Sequence, residues 1–190
     1  MHPPIRPLVR NLLLIDVETT GSNPLIHEVV DLGAVLLDRN TLTPIKEFST
    51  LVRPESLALA NTDSMKIHGL TQSQMETAPT VSEVVMSFTE SLGYEFTLCG
   101  WNICFDGQFL GSLFRKAGRY DFFERIDYHK LDLWSLLQFF WTVGWLSVQP
   151  KSFSDVCSHF GLERGTNHRA LQDALLSADV LRKAIQLSAK

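Results

Sequence analysis

The sequence predicts an α/β fold in which helices flank both faces of a mixed five-stranded sheet. Three strand-like segments come first, and helix-like segments then alternate with two shorter strand-like segments. This order is typical of a sheet that carries helices on both faces. The 190 residues are enough for one well-packed domain and too few for two ordinary ones. We therefore predict a single domain over residues 11–190, preceded by a loose, proline-rich lead-in over residues 1–10.

The strand predictions rest on apolar runs that are bounded by turn residues. Residues 11–17 are expected to form a buried strand, and residues 28–37 and 45–52 to follow it as an antiparallel meander. A short apolar segment, residues 97–100, and a fifth segment, residues 126–131, are expected to complete the sheet.

The helix predictions rest on apolar residues that recur with helical periodicity. They cover residues 81–92, 105–117, 133–141, 153–160 and 170–185. Gly118 and Gly161 follow two of these segments and are expected to end them, Gly118 as a left-handed cap. Ser152 and Asp155 resemble a capping box at the start of another.

Composition excludes several classes of protein. Hydrophobic residues make up 45% and charged residues 20%, which are globular values, so disordered and fibrous proteins are excluded. The three cysteines cannot all pair within one chain and show no C-x-x-C spacing, which indicates reduced thiols. No secretory signal is visible, and no apolar run reaches the roughly 18 residues of a membrane span. We expect a cytoplasmic protein with no membrane partner.

The formal net charge is −4, whereas nucleic-acid-binding proteins are usually basic. The charge argues against a large electrostatic footprint on duplex DNA. It does not argue against an enzyme with bound cations, because two divalent ions would offset the whole formal charge.

Two carboxylates stand at the end of the first predicted strand. Asp16 and Glu18 are two residues apart, so on a strand they point to the same face. They lie at the carboxyl edge of the sheet, where α/β proteins bind ligands. Taken alone, a D-x-E pair is equally well explained as solvated strand-end charge. Gly21, after Thr19 and Thr20, permits a tight turn near a ligand, although an ordinary turn explains it as well.

Two later segments can bring further polar groups to this edge. Asp106 lies in the first turn of a predicted helix, where a carboxylate also suits the helix dipole. His168 and Asp173 are five residues apart and would not share a helical face. The economical interpretation places His168 on the preceding loop and Asp173 inside the helix. The alanines at positions 170, 174 and 178 would let that helix approach the sheet closely.

The motifs D-x-E-T-T-G, N-x-x-F-D and H-x-A-x-x-D occur in this order and resemble those of the DEDDh 3′→5′ exonucleases. That family includes the proofreading subunit of the bacterial replicative polymerase, ribonuclease T and oligoribonuclease. The resemblance covers residues 11–185 and includes supporting stretches at residues 29–35, 67–71 and 131–133. Three positions depart from the family pattern: Asp31 replaces a usual Glu, Trp101 a frequent His, and Val17 a frequent Thr.

The resemblance implies a ribonuclease H-like fold and a metal-dependent mechanism. It implies that two divalent cations, Mg²⁺ or Mn²⁺, are held by four acids, with Asp16 bridging them, and that His168 is the general base. The four implied metal-binding residues are Asp16, Glu18, Asp106 and Asp173. The implied reaction releases nucleoside 5′-monophosphates from the 3′ ends of single-stranded DNA or RNA, and the sequence does not decide between DNA and RNA.

The resemblance also indicates residues that would hold the terminal nucleotide. It places Thr19 and Thr20 near the 3′ hydroxyl, and Met65, Ile67 and His68 along the pocket. Core packing explains Met65 and Ile67 equally well. Phe105 can stack on a base, although a buried core position is the stronger interpretation.

Other charged residues have simpler roles. Arg164 and Arg169 flank His168 and are candidates for phosphate contacts. Asp132 is expected to be an N-cap, and the basic residues 115, 116 and 119 a solvated helix end.

Alternative functions remain at this point. One is a proofreading subunit in a polymerase complex, although the absence of a polymerase-binding tail after Lys190 favours a stand-alone enzyme. Another is a non-catalytic nucleic-acid-binding or scaffold protein. A homodimer is also predicted, through Trp134, Phe139, Trp141 and Trp145, which fall off the apolar stripe of their helix. The competing interpretation buries these rings within the monomer.

Overall fold

The computed structural model describes residues 8–165 and 168–187, so residues 1–7 of the predicted lead-in lie outside it. Its elements in chain order are β1 (Asn11–Thr19), β2 (Val29–Leu37), β3 (Pro44–Leu51), α1 (Thr62–His68), α2 (Gln72–Glu76), α3 (Val81–Leu92), β4 (Phe96–Gly100), α4 (Ile103–Lys116), α5 (Phe122–Arg125), β5 (Lys130–Asp132), α6 (Leu133–Thr142), α7 (Phe153–His159) and α8 (Ala170–Leu187).

The strands form one mixed five-stranded sheet in the order β3-β2-β1-β4-β5. β1 pairs antiparallel with β2 and parallel with β4, and β4 pairs parallel with β5. The predicted α/β fold class is confirmed. Because β1 is the central strand, its carboxyl end has neighbours on both sides, and side chains from several elements can meet there.

β1 alternates between two cores. Leu13, Ile15 and Val17 pack with α3 and α4 on one face of the sheet. Leu12 and Leu14 pack with α8 on the other face. A strand repeats its facing every second residue, so the carboxylates at positions 16 and 18 continue the series that faces α8.

The first turns of α8 lie unusually close to the sheet. Ala170, Ala174 and Ala178 are fully buried, as their spacing predicted. Gly33 on β2 supplies the other half of the contact, since a Cβ atom at this position would lie 2.0 Å from the backbone nitrogen of Leu171. The backbone of α8 therefore rests directly on the strand.

Several element boundaries differ from the sequence predictions. The fifth strand is three residues long, at residues 130–132 rather than 126–131. The reason is that Asp127 accepts hydrogen bonds from the Thr97 hydroxyl and the backbone N–H of His129, which holds this segment as a loop. Helices α1, α2 and α5 were not predicted, because four to seven residues are too few to show a helical period.

The predicted helix caps are confirmed. Gly118 and Gly161 have φ values of +75° and +67°, in the left-handed region. The Ser152 hydroxyl accepts from the backbone N–H of Asp155. Asp132 caps α6 by accepting from the backbone N–H of Ser135 at 2.7 Å.

The aromatic residues of α6 and the loop after it are only partly covered. Trp134 donates its indole N–H to the carbonyl of Pro150, and the Trp145 ring lies 5.2 Å from that of Phe140. Phe139, Trp141 and Trp145 nevertheless keep between 41% and 55% of their surface exposed. The fold-back interpretation therefore accounts for part of this cluster, and a substantial apolar surface remains. Within the described residues, no helix has the length and apolarity needed to cross a bilayer.

The contact at Gly33 generates a stability prediction. Gly33→Ala should lower the free energy of unfolding by about 1–3 kcal/mol, because the added methyl group overlaps backbone that cannot move independently of α8. Chemical denaturation measures the change. Gly107→Ala is the matched control: there the added Cβ would meet only the end of the Lys130 side chain, at 3.4 Å. Alanine should stabilise that helical position by about 0.5–1 kcal/mol. Equal stability of Gly33→Ala and wild type would show that α8 does not press on the sheet.

Candidate active site

Four parts of the fold supply polar side chains to one edge of the sheet. The end of β1 carries Asp16 and Glu18, the first turn of α4 carries Asp106, and the first turn of α8 carries Asp173. His168 lies on the loop before α8, two residues before the helix begins, as the sequence predicted.

Three of these side chains are close enough to share a ligand. One ligand atom from each of Glu18, His168 and Asp173 lies within 4.8 Å of the other two. Glu18 and Asp173 are buried, and His168 is partly exposed. Within the described parts of the chain, Asp16 and Asp106 do not join this tight group. The five predicted residues thus lie at one edge of the sheet, and three of them lie at metal-binding distance.

The carboxyl groups influence one another strongly. Burial, followed by the charges of Asp106, Asp173 and Glu18, raises the pKa of Asp16 well above its usual range. Burial and the Asp173 charge raise the pKa of Glu18 to about 8. Burial also raises the pKa of Asp106 to about 7, despite the hydrogen bond that the carboxylate accepts from Val17. Ionising a group whose pKa is raised on folding costs stability. The site therefore favours positive charge.

Arg164 supplies such a charge. Its guanidinium donates from Nε to Asp173 Oδ1 at 3.0 Å and from Nη2 to Asp173 Oδ2. The same Nη2 contacts Nδ1 of His168 at 3.0 Å, and the guanidinium carbon lies 5.0 Å from the centre of the Phe153 ring. The sequence suggested a phosphate contact for Arg164. In this structure its hydrogen-bond partners are Asp173, His168 and the Ser154 hydroxyl, and the phosphate contact stays a prediction.

The surroundings of His168 favour its neutral form. Burial and the neighbouring Arg164 lower the pKa of His168, and Asp173 opposes this effect. Since a guanidinium only donates hydrogen bonds, the contact at Nδ1 assigns the proton of a neutral ring to Nε2 in this arrangement.

The start of α4 is held by two carboxylates. Asp106 Oδ1 accepts from the backbone N–H of Val17 at 3.2 Å, which ties the first turn of α4 to β1. Asp132 Oδ2 accepts from the backbone N–H of Ile103 at 3.1 Å. Asp132 therefore caps α6 and also positions the segment that carries Asp106. The second of these roles was not predicted.

An ion pair between buried Asp31 and exposed Arg169 holds the loop of His168 against the sheet. Asp31 Oδ2 accepts from Arg169 Nε at 2.8 Å and from the backbone N–H of Ala170 at 3.4 Å. Asp31 pairs in register with Glu18 on β1. The sequence showed Asp31 only as a departure from the family pattern and Arg169 as a candidate phosphate contact. Their partnership spans 138 residues, so no local pattern signals it.

The predicted substrate residues lie near the site with different exposures. Thr19 and Thr20 are buried, and their hydroxyls shape the turn after β1: that of Thr19 donates to Gly21 O, and that of Thr20 accepts from Glu28 N–H. This arrangement brings the turn to the end of β1, but it uses hydroxyl groups that were expected to face a nucleotide.

The α1 residues divide between core and surface. Met65 is half-buried against a small apolar cluster, and Ile67 is 51% exposed, so core packing does not explain Ile67. His68 is buried, and its Nδ1 accepts from the backbone N–H of Leu70 at 3.0 Å. Phe105 packs against the core, with its ring 4.8 Å from that of Phe109, which favours the core interpretation. Trp101 likewise packs on Phe153, at 5.1 Å between ring centres.

Sequence relatives are bacterial DNA polymerases and their subunits. The chain is 28% identical over 199 residues to a PolC-type DNA polymerase III of Thermotoga maritima, covering 98% of this chain and 13% of that protein. It is 28% identical over 174 residues to the DNA polymerase III subunit epsilon of Aquifex aeolicus, covering 92% of this chain and 80% of that subunit. The chain thus spans a small part of the PolC-type relatives and most of the epsilon subunit.

Solved structures with the same fold include nucleases. Exonuclease I of E. coli in complex with a dT13 oligonucleotide superposes with a TM-score of 0.78 at 15% identity, over 95% of this chain and 41% of that one. A 3′-exonuclease that recognises the 3′ end of a histone mRNA stem-loop superposes with a TM-score of 0.70 at 19% identity, over 95% of this chain and 65% of that one. These likenesses agree with the predicted ribonuclease H-like fold.

The family model RNase_T, which describes an exonuclease, matches residues 13–181. This range contains the carboxyl end of β1, α4, the His168 loop and the first turns of α8, which together form the acidic site. The chain belongs to the RNase_T exonuclease family of enzymes.

Proposed function

We propose that this protein is a metal-dependent 3′→5′ exonuclease that releases nucleoside 5′-monophosphates from single-stranded DNA or RNA ends. The observation that carries the proposal is the convergence of Glu18, His168 and Asp173 within 4.8 Å, beside the two further carboxylates at positions 16 and 106. The carboxylates suit hard divalent cations, and the histidine suits proton transfer.

The residues present fit a pair of divalent cations. The donor set is dominated by carboxylate oxygens, which favour Mg²⁺ or Mn²⁺, and burial together with mutual repulsion makes these groups costly to ionise without cations. When bound, such cations would supply positive charge for the hydrolysis of a phosphodiester. Asp16, Glu18, Asp106 and Asp173 would hold them.

The protein's own residues would orient the reaction and accept the proton. His168 has a lowered pKa, so it can be an uncharged base at neutral pH. For Nε2 to accept a proton from the attacking water, the ring proton must lie on Nδ1. The Arg164 guanidinium would therefore have to move away from Nδ1 of His168 before the reaction. This movement would also break its contact with Asp173.

The terminal nucleotide would lie between the turn after β1 and helix α1. Ile67, which is exposed, would contact a base or sugar, and Met65 and His68 would support it from the same helix. Phe105 packs against the core and is the weakest of the substrate-contact candidates. The Thr19 and Thr20 backbone, held by the turn, would approach the 3′ hydroxyl.

A second candidate function is proofreading within a polymerase complex. The relatives that favour it are the PolC-type polymerases and the epsilon subunit. Both align with most of the length of this chain. Proofreading retains the same chemistry and adds a protein partner. The homodimer through Trp134, Trp141 and Trp145 stays a prediction, supported by the exposed rings of α6 and its following loop.

The chemistry is tested with end-labelled DNA and RNA oligonucleotides of matched sequence. Single strands with a free 3′ hydroxyl should shorten stepwise in Mg²⁺ or Mn²⁺, and EDTA should stop the reaction because the carboxylates cannot act without cations. Product analysis should show nucleoside 5′-monophosphates. Internal fragments from a circular single strand would contradict the proposal. Binding of the oligonucleotides without metal-dependent cleavage would favour a non-catalytic scaffold.

Asp16→Asn should abolish turnover. It should also raise the thermal midpoint of the metal-free protein, since it removes one of several repelling charges. The pKa of Asp16 is raised on folding, so wild-type stability should fall as pH rises above the usual titration range of an aspartate, and the gap between variant and wild type should widen in the same direction. Differential scanning fluorimetry with EDTA measures this. Asp121→Asn, at an exposed position, is the control. Near-normal activity of Asp16→Asn would exclude its role as a metal ligand.

His168→Ala should lower kcat by about 10²–10⁴, the usual contribution of a positioned base. The control is His129→Ala, at an exposed histidine. Titration with Mn²⁺ should show a metal affinity close to that of wild type. His168 lies within metal-binding distance of Glu18 and Asp173. A large loss of affinity with an unchanged kcat at saturating metal would therefore make His168 a ligand rather than the base.

A further inference from the structure

A groove of about 380 Å³ is lined in part by Gly107, the residue after the candidate metal ligand Asp106. The groove has no role in the chemistry described so far. We call it the α4 groove. Gly107, directly after Asp106, and Arg115 line it from α4. The opposite wall is the loop after Gly21, which includes Leu25, and Phe123 and Lys130 complete the lining.

Two glycines of α4 open this surface. At Gly111, a Cβ atom would lie 2.3 Å from the Phe123 ring, so the absence of a side chain lets the ring approach the helix closely. At Gly107, the ammonium of Lys130 lies 3.4 Å from the position that a Cβ would take. The same ammonium is 5.1 Å from the centre of the Phe123 ring. The glycines thus bring an aromatic ring and a cation close to the backbone of α4.

The groove carries two cations whose charges are not neutralised. The side chains of Arg115 and Lys130 are exposed, and within the described residues neither forms a side-chain hydrogen bond or an ion pair, although the Lys130 ammonium lies over the Phe123 ring. The adjacent cations differ: Lys116 pairs with Glu28 at 2.8 Å and with Glu55 at 3.0 Å, and Arg119 donates to the Tyr94 hydroxyl. The sequence predicted one solvated basic cluster here. In the structure, Lys116 and Arg119 bind other residues of the protein, whereas the charged group of Arg115 remains available to a ligand.

The groove also presents apolar surface beside these charges. Leu25 is 85% exposed and Phe123 is 38% exposed. Sites for single-stranded nucleic acid combine a positively charged groove, which tracks the backbone, with side chains on which bases stack. From Gly107 to Arg115, eight residues along a helix, the wall is about 12 Å long. An anionic polymer that leaves the acidic site would meet this surface next.

We propose that the α4 groove binds the backbone phosphates of the nucleic-acid strand on the 5′ side of the scissile bond. Arg115 and Lys130 contact phosphates, and Phe123 and Leu25 contact bases. The groove holds the strand while the 3′ end of the strand occupies the acidic site. Its positive charges offset the repulsion that a protein of net charge −4 exerts on phosphates. The inference rests on the proposed function and adds a second binding element to it. The recognised chemistry is a single-stranded phosphodiester chain, from either DNA or RNA.

Substrates of two lengths test the groove. The variant is Arg115→Gln with Lys130→Gln, which removes both charges and keeps most of each side-chain stem. Its matched control is Arg10→Gln with Lys46→Gln, the same change of charge at the opposite end of the sheet, where β1 begins and β2 ends. Kinetics are measured on a dinucleotide and on a single strand of about 20 nucleotides, each as DNA and as RNA.

The variant should raise KM for the long strand by about tenfold and leave kcat/KM for the dinucleotide within about twofold, since a dinucleotide is too short to reach Arg115. The slope of log KM against log salt concentration should become shallower by about 1.4, the value for two lost phosphate contacts on a single strand. Equal effects on both DNA and RNA indicate backbone binding, and an effect on one only assigns the groove to that nucleic acid.

Three results would overturn the inference: an unchanged KM for the long strand, an equal loss on the dinucleotide, or the same rise in the control variant. If the proposed exonuclease function itself were wrong, the wild-type protein would cleave neither substrate in Mg²⁺ or Mn²⁺, which is a different result from these three. Circular dichroism of both variants checks that they are folded; Lys46, Arg115 and Lys130 are exposed, and Arg10 is half-buried.

Discussion

The close approach of α8 to the sheet is the constraint on which the site depends. Asp173 can meet Glu18 only because the backbone of α8 lies against β2 at Gly33, where a methyl group would overlap the backbone of residue 171. The buried alanines extend that contact along the helix. The ion pair between Asp31 and Arg169 then orients the loop that carries His168. Removing any of these supports would displace the candidate catalytic groups without changing those groups themselves.

The same approach produces an electrostatic cost. Carboxylates from three elements converge where burial already raises their pKa values, to about 8 for Glu18 and about 7 for Asp106. A fold selected only for stability would place apolar or paired groups at these positions. The metal-free protein offsets part of the cost with Arg164 on Asp173, and with the backbone N–H of Val17 on Asp106. The remaining charge explains why cations would stabilise this fold as well as activate it.

Much of this arrangement was predictable because its causes are local. The alternation of β1 placed Asp16 and Glu18 on one face, and the five-residue spacing placed His168 before α8 and Asp173 within it. The predicted caps at Ser152 and Asp132 depend on neighbours only three residues away.

The features that escaped prediction depend on distant or weak signals. The Asp31–Arg169 pair joins residues 138 apart, and the second hydrogen bond of Asp132 reaches back 29 residues to α4. Helix α1, which carries Met65, Ile67 and His68, has only seven residues and shows no apolar period. The fifth strand was predicted to begin too early, because the sequence does not show that hydrogen bonds to Asp127 hold the residues before Lys130 as a loop.

Arg164 connects the structural and the chemical parts of this site. Its guanidinium occupies both oxygens of Asp173 and one nitrogen of His168, so one side chain holds a candidate metal ligand and the candidate base together. One guanidinium carries a single positive charge, whereas the site gathers four carboxylates, and a pair of divalent cations would match that charge in full. Once cations occupy the carboxylates, like-charge repulsion would oppose the guanidinium at Asp173. Its departure would free Nδ1 of His168 to carry the ring proton. Assembly of the metal site and preparation of the base would then be two consequences of one exchange of positive charge.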